Sequence, residues 1–385
     1  MKLLDKNRLA QLLESRYAED AAANKVGGTA VCVTQNGKVV YENYFGTVSP
    51  DSSEPLNDKT IFRLASMTKP ITAAAVMILV DRGLIDIEDT VEQYFPQFAN
   101  RMVVTTDDEG KINGKVPAKE PIRIKHLLTH TSGLGSGVLL EQSHNGMTAK
   151  DDQTLDTALA YYATLDLAFD PFTTQAYSPL FAFDVAASIV EKVTGLTYDI
   201  FLKQELFDPC EMHDTSFTPT DDQYSRIIGM HNLVDGKSIC EKIPHGVVFG
   251  NTPVTHFTAG GGLIATMRDY VNFAEMLLNG GVFRGRRVLS EEAVNTLSSP
   301  IVPPEVMGSE TSRWGLGVLV TATDGHPRLP KGAYGWSGAY GTHFWVDPAN
   351  KVTAVFMKNS FFEGGAGART ENNFQADVNA AFAEA

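Results

Sequence analysis

Ser66 and Lys69 stand three residues apart in the stretch Phe62–Gly83, FRLASMTKPITAAAVMILVDRG. A hydroxyl and an amine at that spacing project from one face of a helix. Together they can form a nucleophile and its proton partner, or they can be an ordinary helix start, since Ser is a common N-cap and Lys a common helix residue. A Ser-x-x-Lys match arises about once by chance in a chain of this length. Its setting here is less ordinary. Ala73, Ala74, Val76, Met77, Leu79 and Val80 make the helix apolar nearly all round, so it is expected to be buried and to end at Gly83. Burying an unpaired ammonium costs several kcal/mol, which argues against Lys69 as decoration. Pro70 fits only near a helix N-terminus, so Ser66 lies at the mouth of a core helix with the positive end of its dipole behind the hydroxyl.

A serine nucleophile also needs a base and an oxyanion site. Nine histidines offer the usual base. His126 and His130 are placed on a common helix face in KHLLTHTSGL, but no Glu stands between them as HExxH requires, so they are read as hydrogen-bonding anchors of a turn. No G-x-S-x-G elbow is present. Tyrosine is the other candidate base, because a cationic Lys nearby can stabilise a phenolate. Tyr177-Ser178-Pro179 lies in a loop just before a helix at about 180–194. For any single Tyr, the ordinary alternative is a half-buried ring with a satisfied hydroxyl.

These residues must be held by a larger frame. Residues 5–23 read as an amphipathic helix, and GGTAVCVTQNGKVVYENYFG as a hairpin about Asn36-Gly37. A short strand is expected at about 60–64. From about 85 to 220 the pattern is helices and long loops, with 104–120 a polar, mobile insertion. Strand runs return in TAGGGLIAT, RWGLGVLV, YGWSGAYGTHFWVDP and KVTAVFMKNS, and a last helix is expected near 370–383. Strands joined by short turns, with helices at both chain ends, imply an α+β fold with an antiparallel sheet. The simplest organisation is one sheet domain, residues 1–85 and 222–385, with a helical domain inserted at 86–221.

The formal net charge of -14 and the lack of a Lys/Arg cluster exclude a phosphate-backbone partner. No run of about twenty apolar residues marks a membrane span. The N-terminal stretch is interrupted by charges, unlike a signal peptide, and Cys32, Cys210 and Cys240 are an odd number without metal spacing. A cytoplasmic, reducing compartment is the expectation.

The ordered motifs SMTK, YSP and WSG (336–338) resemble those of the penicillin-recognising serine hydrolases: class C β-lactamases, DD-peptidases and family VIII carboxylesterases. LIDIEDTVEQYFPQF, IKHLLTHTSGL, VTGLTYDIFLKQELFDPCEMHDTSF and TAGGGLIATMRDYVNFAEMLLNGG extend the resemblance over nearly the whole chain. It implies an α/β/α sandwich with an inserted all-helical domain. It further implies that Ser66 is acylated, that Lys69 is its proton partner and that Tyr177 is the general base. The backbone N–H groups of Ser66 and Ala339 would hold the oxyanion, the latter from an edge strand, YGWSGAYGTHFWV. Trp336, Ser337 and Gly338 would contact substrate, Gly338 by permitting close approach.

Two departures choose among the subfamilies. Lactamases and peptidases carry Lys-Thr-Gly where this chain has Trp336-Ser337-Gly338, so an anionic substrate loses its cation and a neutral ester is favoured. Pro179 replaces the Asn that holds the lysine and a substrate amide, which leaves Lys69 in need of another partner. Trp314, Trp345 and Tyr340 join Trp336 as candidate walls of an acyl pocket, with Trp345 able to face the core instead. AGGGL (259–263) reads equally as a glycine-rich strand or a cleft floor. The expected activity is a serine esterase acting through an acyl-enzyme on a small-molecule ester, with no metal or organic cofactor. The alternatives are an acyltransferase, an amidase or β-lactamase, or a penicillin-binding sensor without turnover. Acyl and alcohol specificity is expected to depend on loops around 100–150 and 235–258.

Overall fold

Alternating apolar residues in the terminal thirds of the chain make one sheet with two buried faces. A computed structural model describes residues 1–140, 154–241, 247–249 and 252–383. Its main sheet has seven antiparallel strands in the order Ser312–Trp314, Leu319–Thr321, Tyr334–Ser337, His343–Asp347, Val352–Lys358, β1 (Thr29–Gln35) and β2 (Lys38–Phe45). Val31 and Val33 of β1 point to one face, where Leu9 and Leu13 of the N-terminal helix α1 (Lys6–Ala22) pack with Phe374 and Val378 of the C-terminal helix Arg369–Ala380. Ala30 and Cys32 point to the other, toward Tyr270 and Phe273 of the helix Met267–Leu278. The two-residue period of a strand thus divides the core into two layers around the sheet, an α/β/α sandwich. β1 and β2 turn at Asn36 (φ 54) and Gly37 (φ 70), the two positive values that this hairpin turn requires.

A separate two-stranded ladder, β3 (Ile61–Arg63) with Ile264–Thr266, leads directly into the site. Asn359, just past the Val352–Lys358 strand, accepts the Arg63 N–H at 2.8 Å and donates to the Arg63 carbonyl at 3.0 Å, clipping β3 to the sheet. After a 3-10 turn, Ala65–Met67, the chain enters α2 (Thr68–Asp81), buried from Thr68 to Leu79. The helix Phe181–Thr194 packs against α2 and ends at Gly195 in the left-handed region, φ 71.

Three expectations change. The tract at 104–120 is not a loose loop: Met102–Thr106 pairs with Ile112–Pro117. The β-prone run MVVTT supplies one strand, and Asp107 accepts the Gly110 and Lys111 N–H groups to close the turn. RWGLGVLV is two strands reversing through Gly317 (φ 69), whose missing Cβ would sit 2.8 Å from the Lys69 carbonyl. The strand Tyr334–Ser337 lies inside the sheet instead of at its edge, because that hairpin pairs with it. The neighbour reaches only Tyr334 and Gly335, so Trp336 and Ser337 extend past its end. No helix among the described residues is long and apolar enough to cross a membrane.

Candidate active site

The structure brings Ser66, Lys69 and Tyr177 together. Lys69 is fully buried, and its Nζ lies 3.2 Å from Ser66 Oγ, on the face set by their three-residue spacing. Two carbonyls accept from the amine, Pro179 at 2.6 Å and Gly260 at 2.7 Å. The proline therefore does hold the lysine: its carbonyl suffices where an Asn side chain was expected to be needed. AGGGL supplies the other acceptor from a turn before the Ile264–Thr266 strand. Burial pushes the Lys69 amine down to about 7, with the carboxylate of Asp184 opposing the shift.

Tyr177 hydrogen-bonds Ser66, and its hydroxyl accepts from Trp336 Nε1 at 3.2 Å. Burial raises the phenol to about 12 even though both hydrogen bonds work against the rise. That direction opposes a phenolate. The Lys69 amine lies 4.9 Å from the centroid of the Tyr177 ring.

His126 and His130 do not share a helix face. The helix ends at Leu128, and His130 follows it in the left-handed region, φ 57. His126 Nδ1 accepts the Arg123 N–H at the helix start. His130 Nδ1 accepts the Ser178 N–H at 3.1 Å, and its ring packs 4.3 Å from Tyr177 and 4.4 Å from Trp314. Burial and the neighbouring Lys69 hold the ring well below its usual range, so it is neutral and steadies the tyrosine loop. Among the described residues, no group of His, Cys, Asp and Glu is arranged to hold a metal.

Ser66 opens into a cavity of about 390 Å³ bordered by Tyr177, Trp314, Trp336, Ala339 and Met307. Gln175, Leu319, Ser337, Gly365 and Ala366 also line it, so among the described residues no lining side chain is charged. Among the described residues, neither the Ser66 nor the Ala339 N–H donates to a protein acceptor. The turn carrying Ala339 is tied to the nucleophile strand, since Thr342 Oγ1 donates to the Leu64 carbonyl at 2.8 Å.

Gly338 is required by the protein itself: a Cβ there would fall 2.1 Å from the Leu64 carbonyl oxygen. Ser337 borders the cavity, and its Oγ is engaged with His343 Nδ1 at 2.8 Å. Trp345 packs on Phe374 in the opposite layer, 5.0 Å between centroids, and Tyr340 is buried with Ala65 and Met230, so neither walls this cavity. Parts of the loops around 100–150 and 235–258 lie outside the described residues.

Sequence reasoning missed Ala65, a buried non-glycine residue at φ 48 immediately before the nucleophile. Such a conformation costs on the order of 1–3 kcal/mol and persists only where packing over-determines it. Asp184 was also missed, although a lone carboxylate in FAFDVAASIV is a visible signal.

The family model described as Beta-lactamase matches residues 12–377. The uncharacterized protein MT1414 of Mycobacterium tuberculosis is 32% identical over 368 residues, covering 89% of this chain and 88% of that one. Esterase EstB of Burkholderia gladioli is 27% identical, covering 95% and 94%. Among solved structures, EstCE1, titled a hydrolase with promiscuous acyltransferase activity, superposes with a TM-score of 0.79 at 22% identity over 98% of both chains.

Proposed function

The chain belongs to the β-lactamase family, whose relatives include esterases and acyltransferases, and from that premise we propose that it is a serine esterase for small or medium neutral esters. The observation that carries the choice is the uncharged, aromatic cavity in front of Ser66, with Trp336 at the position where lactamases place a lysine. Such a wall favours an apolar acyl chain, and among the described residues it offers no cation to a carboxylate.

The shifts of the two proton-transfer groups support distinct roles for them. With Lys69 lowered to about 7 and Tyr177 raised to about 12, both are neutral in the resting enzyme at mildly alkaline pH. Nζ lies within reach of the Pro179 and Gly260 carbonyls and of Ser66 Oγ; a neutral amine that spends its two N–H groups on the carbonyls turns its lone pair to the serine. Ser66 then attacks the ester carbonyl as its proton passes to Lys69. The Ser66 and Ala339 N–H groups receive the oxyanion, a contribution worth about 10²–10³ in rate for each donor. Tyr177 donates its proton to the departing alkoxide and is restored by the Lys69 ammonium, completing the acyl-enzyme. Deacylation runs the same path in reverse with water in place of the alcohol. Acyl transfer differs only in that second acceptor.

The test is hydrolysis of p-nitrophenyl butyrate and of nitrocefin, each beside Ser66→Ala. Fast ester release with little nitrocefin opening, both abolished by the substitution, is expected. Efficient nitrocefin turnover would move the assignment to a lactamase. Product ester in the presence of an added alcohol would identify the transferase, and stoichiometric acylation without turnover a sensor.

A further inference from the structure

Asp184 stands in the first turn of the helix Phe181–Thr194 and is fully buried. A carboxylate in such a place must have its oxygens satisfied, or it costs several kcal/mol. Its Oδ1 accepts the Ala259 N–H at 2.8 Å. Its Oδ2 accepts the Tyr162 hydroxyl at 2.8 Å and lies 2.9 Å from His256 Nε2. One side chain therefore joins its own helix to the helix Leu155–Tyr162 and to the segment 256–259. That segment continues into the site. The Ala259 carbonyl accepts from Thr72 of α2 at 2.7 Å, and the next carbonyl, Gly260, accepts from Lys69.

We propose that Asp184 is a positioning residue that sets the proton affinity of Lys69, through its negative charge and by fixing the Gly260 carbonyl against the amine. The proposal rests on the reading of Lys69 as the base. Burial pulls the amine toward neutrality, and Asp184 is the charge that opposes it. Among the described residues, the other groups around the pair carry no competing anion. Tyr162, Tyr177 and Tyr198 are all raised by burial and stay neutral, and Tyr198 reaches the site only through its hydrogen bond to Thr72. His130 is held neutral beside Lys69, and Ser66 presents a hydroxyl. His256 meets Asp184 through Nε2 alone, its Nδ1 being buried without a partner among the described residues. A ring donating through Nε2 satisfies that arrangement. The balance matters because a base is most effective when its proton affinity matches the working pH.

The experiment is the pH profile of kcat/KM for p-nitrophenyl butyrate, whose acid limb reports the base of the free enzyme. Asp184→Asn keeps the shape and removes the charge. Its acid limb is expected to move to lower pH by about one unit, the low end of the effect of an opposite charge close by. A purely structural loss would lower the plateau and leave the limb in place, and that result overturns the proposal. Tyr162→Phe is the second variant, for the case that Asp184→Asn is too unstable to assay. It removes a donor and leaves the charge less shielded, so the limb is expected to move slightly upward, and a fixed limb would again overturn the proposal. Lys69→Ala separates the two readings. A limb that persists in its residual activity would refute Lys69 as the base. A limb that vanishes there but does not move in Asp184→Asn would refute Asp184 alone.

Discussion

Lys69 and Lys358 are both buried lysines, 0% and 1% exposed. Burial lowers both amines, to about 7 at Lys69 and about 8 at Lys358. Their partners differ. The Lys69 amine has two carbonyl acceptors, and its third direction meets the Ser66 hydroxyl. Lys358 ends the Val352–Lys358 strand, donates to the Phe362 carbonyl at 3.2 Å and lies in the field of Glu363, Arg369 and Asp20. Its stem packs beneath Gly341, where a Cβ would fall 2.3 Å from Lys358 Cε. A depressed amine is therefore not in itself a sign of catalysis. What distinguishes the site is an acceptor geometry that leaves one direction of the amine facing a hydroxyl that opens on a cavity.

The sharpest way to break this comparison is to remove each amine. Lys69→Met is expected to lower kcat for p-nitrophenyl butyrate by about 10³, within the range for a positioned base, while Lys358→Met keeps most of it. Similar losses in steady-state assays of the two variants would show that burial, not geometry, is what matters. Tyr177→Phe comes next, at about 10², because it removes the hydroxyl and keeps the ring against His130 and Trp314. A variant as active as the wild type would remove Tyr177 from the proton path. Trp336→Phe has a smaller effect, about tenfold, from losing the Nε1 donor to Tyr177 while keeping an aromatic wall. If that loss were instead an increase in KM for longer acyl chains at unchanged kcat, Trp336 would serve the acyl group and not the tyrosine.

The same contrast explains what could be read from the sequence. Ser66, Lys69 and Tyr177 were legible because their side-chain types and order are rare in combination, and the Asn36-Gly37 hairpin because its turn chemistry is local. The lysine's acceptors were not, since every residue has a carbonyl and only the tertiary path selects those of Pro179 and Gly260. The interior place of Tyr334–Ser337 follows from the pairing of 312–321 beside it, which local pattern does not encode. At Gly338 the backbone that approaches within the protein is that of Leu64, which no local signal names. In each case what was not legible lies where a long-range backbone contact decides the outcome.

The smallest effect tests Lys358 by stability. Its folded pKa, lowered from 10.5 to about 8, means that the folded state gives up its proton at a pH where the unfolded state still holds it. Between about 8 and 10.5 the unfolded chain binds more protons, so this group's contribution to stability rises with pH across that window. Below 8 the cost of burying the ammonium is fully present, roughly 3 kcal/mol at 1.36 kcal/mol per unit. Lys358→Met keeps the stem's packing and removes the titration. The variant is therefore expected to exceed the wild type in unfolding free energy at pH 7 and to lose most of that advantage by pH 10, as read by urea unfolding at both. An advantage equal at the two pH values would mean that the gain came from packing, and that the Lys358 amine, unlike that of Lys69, carries no proton-linked cost. Lys69→Met should show the same slope beginning one unit lower, near pH 7, so that the two curves together measure how much further burial has driven the amine that faces the serine.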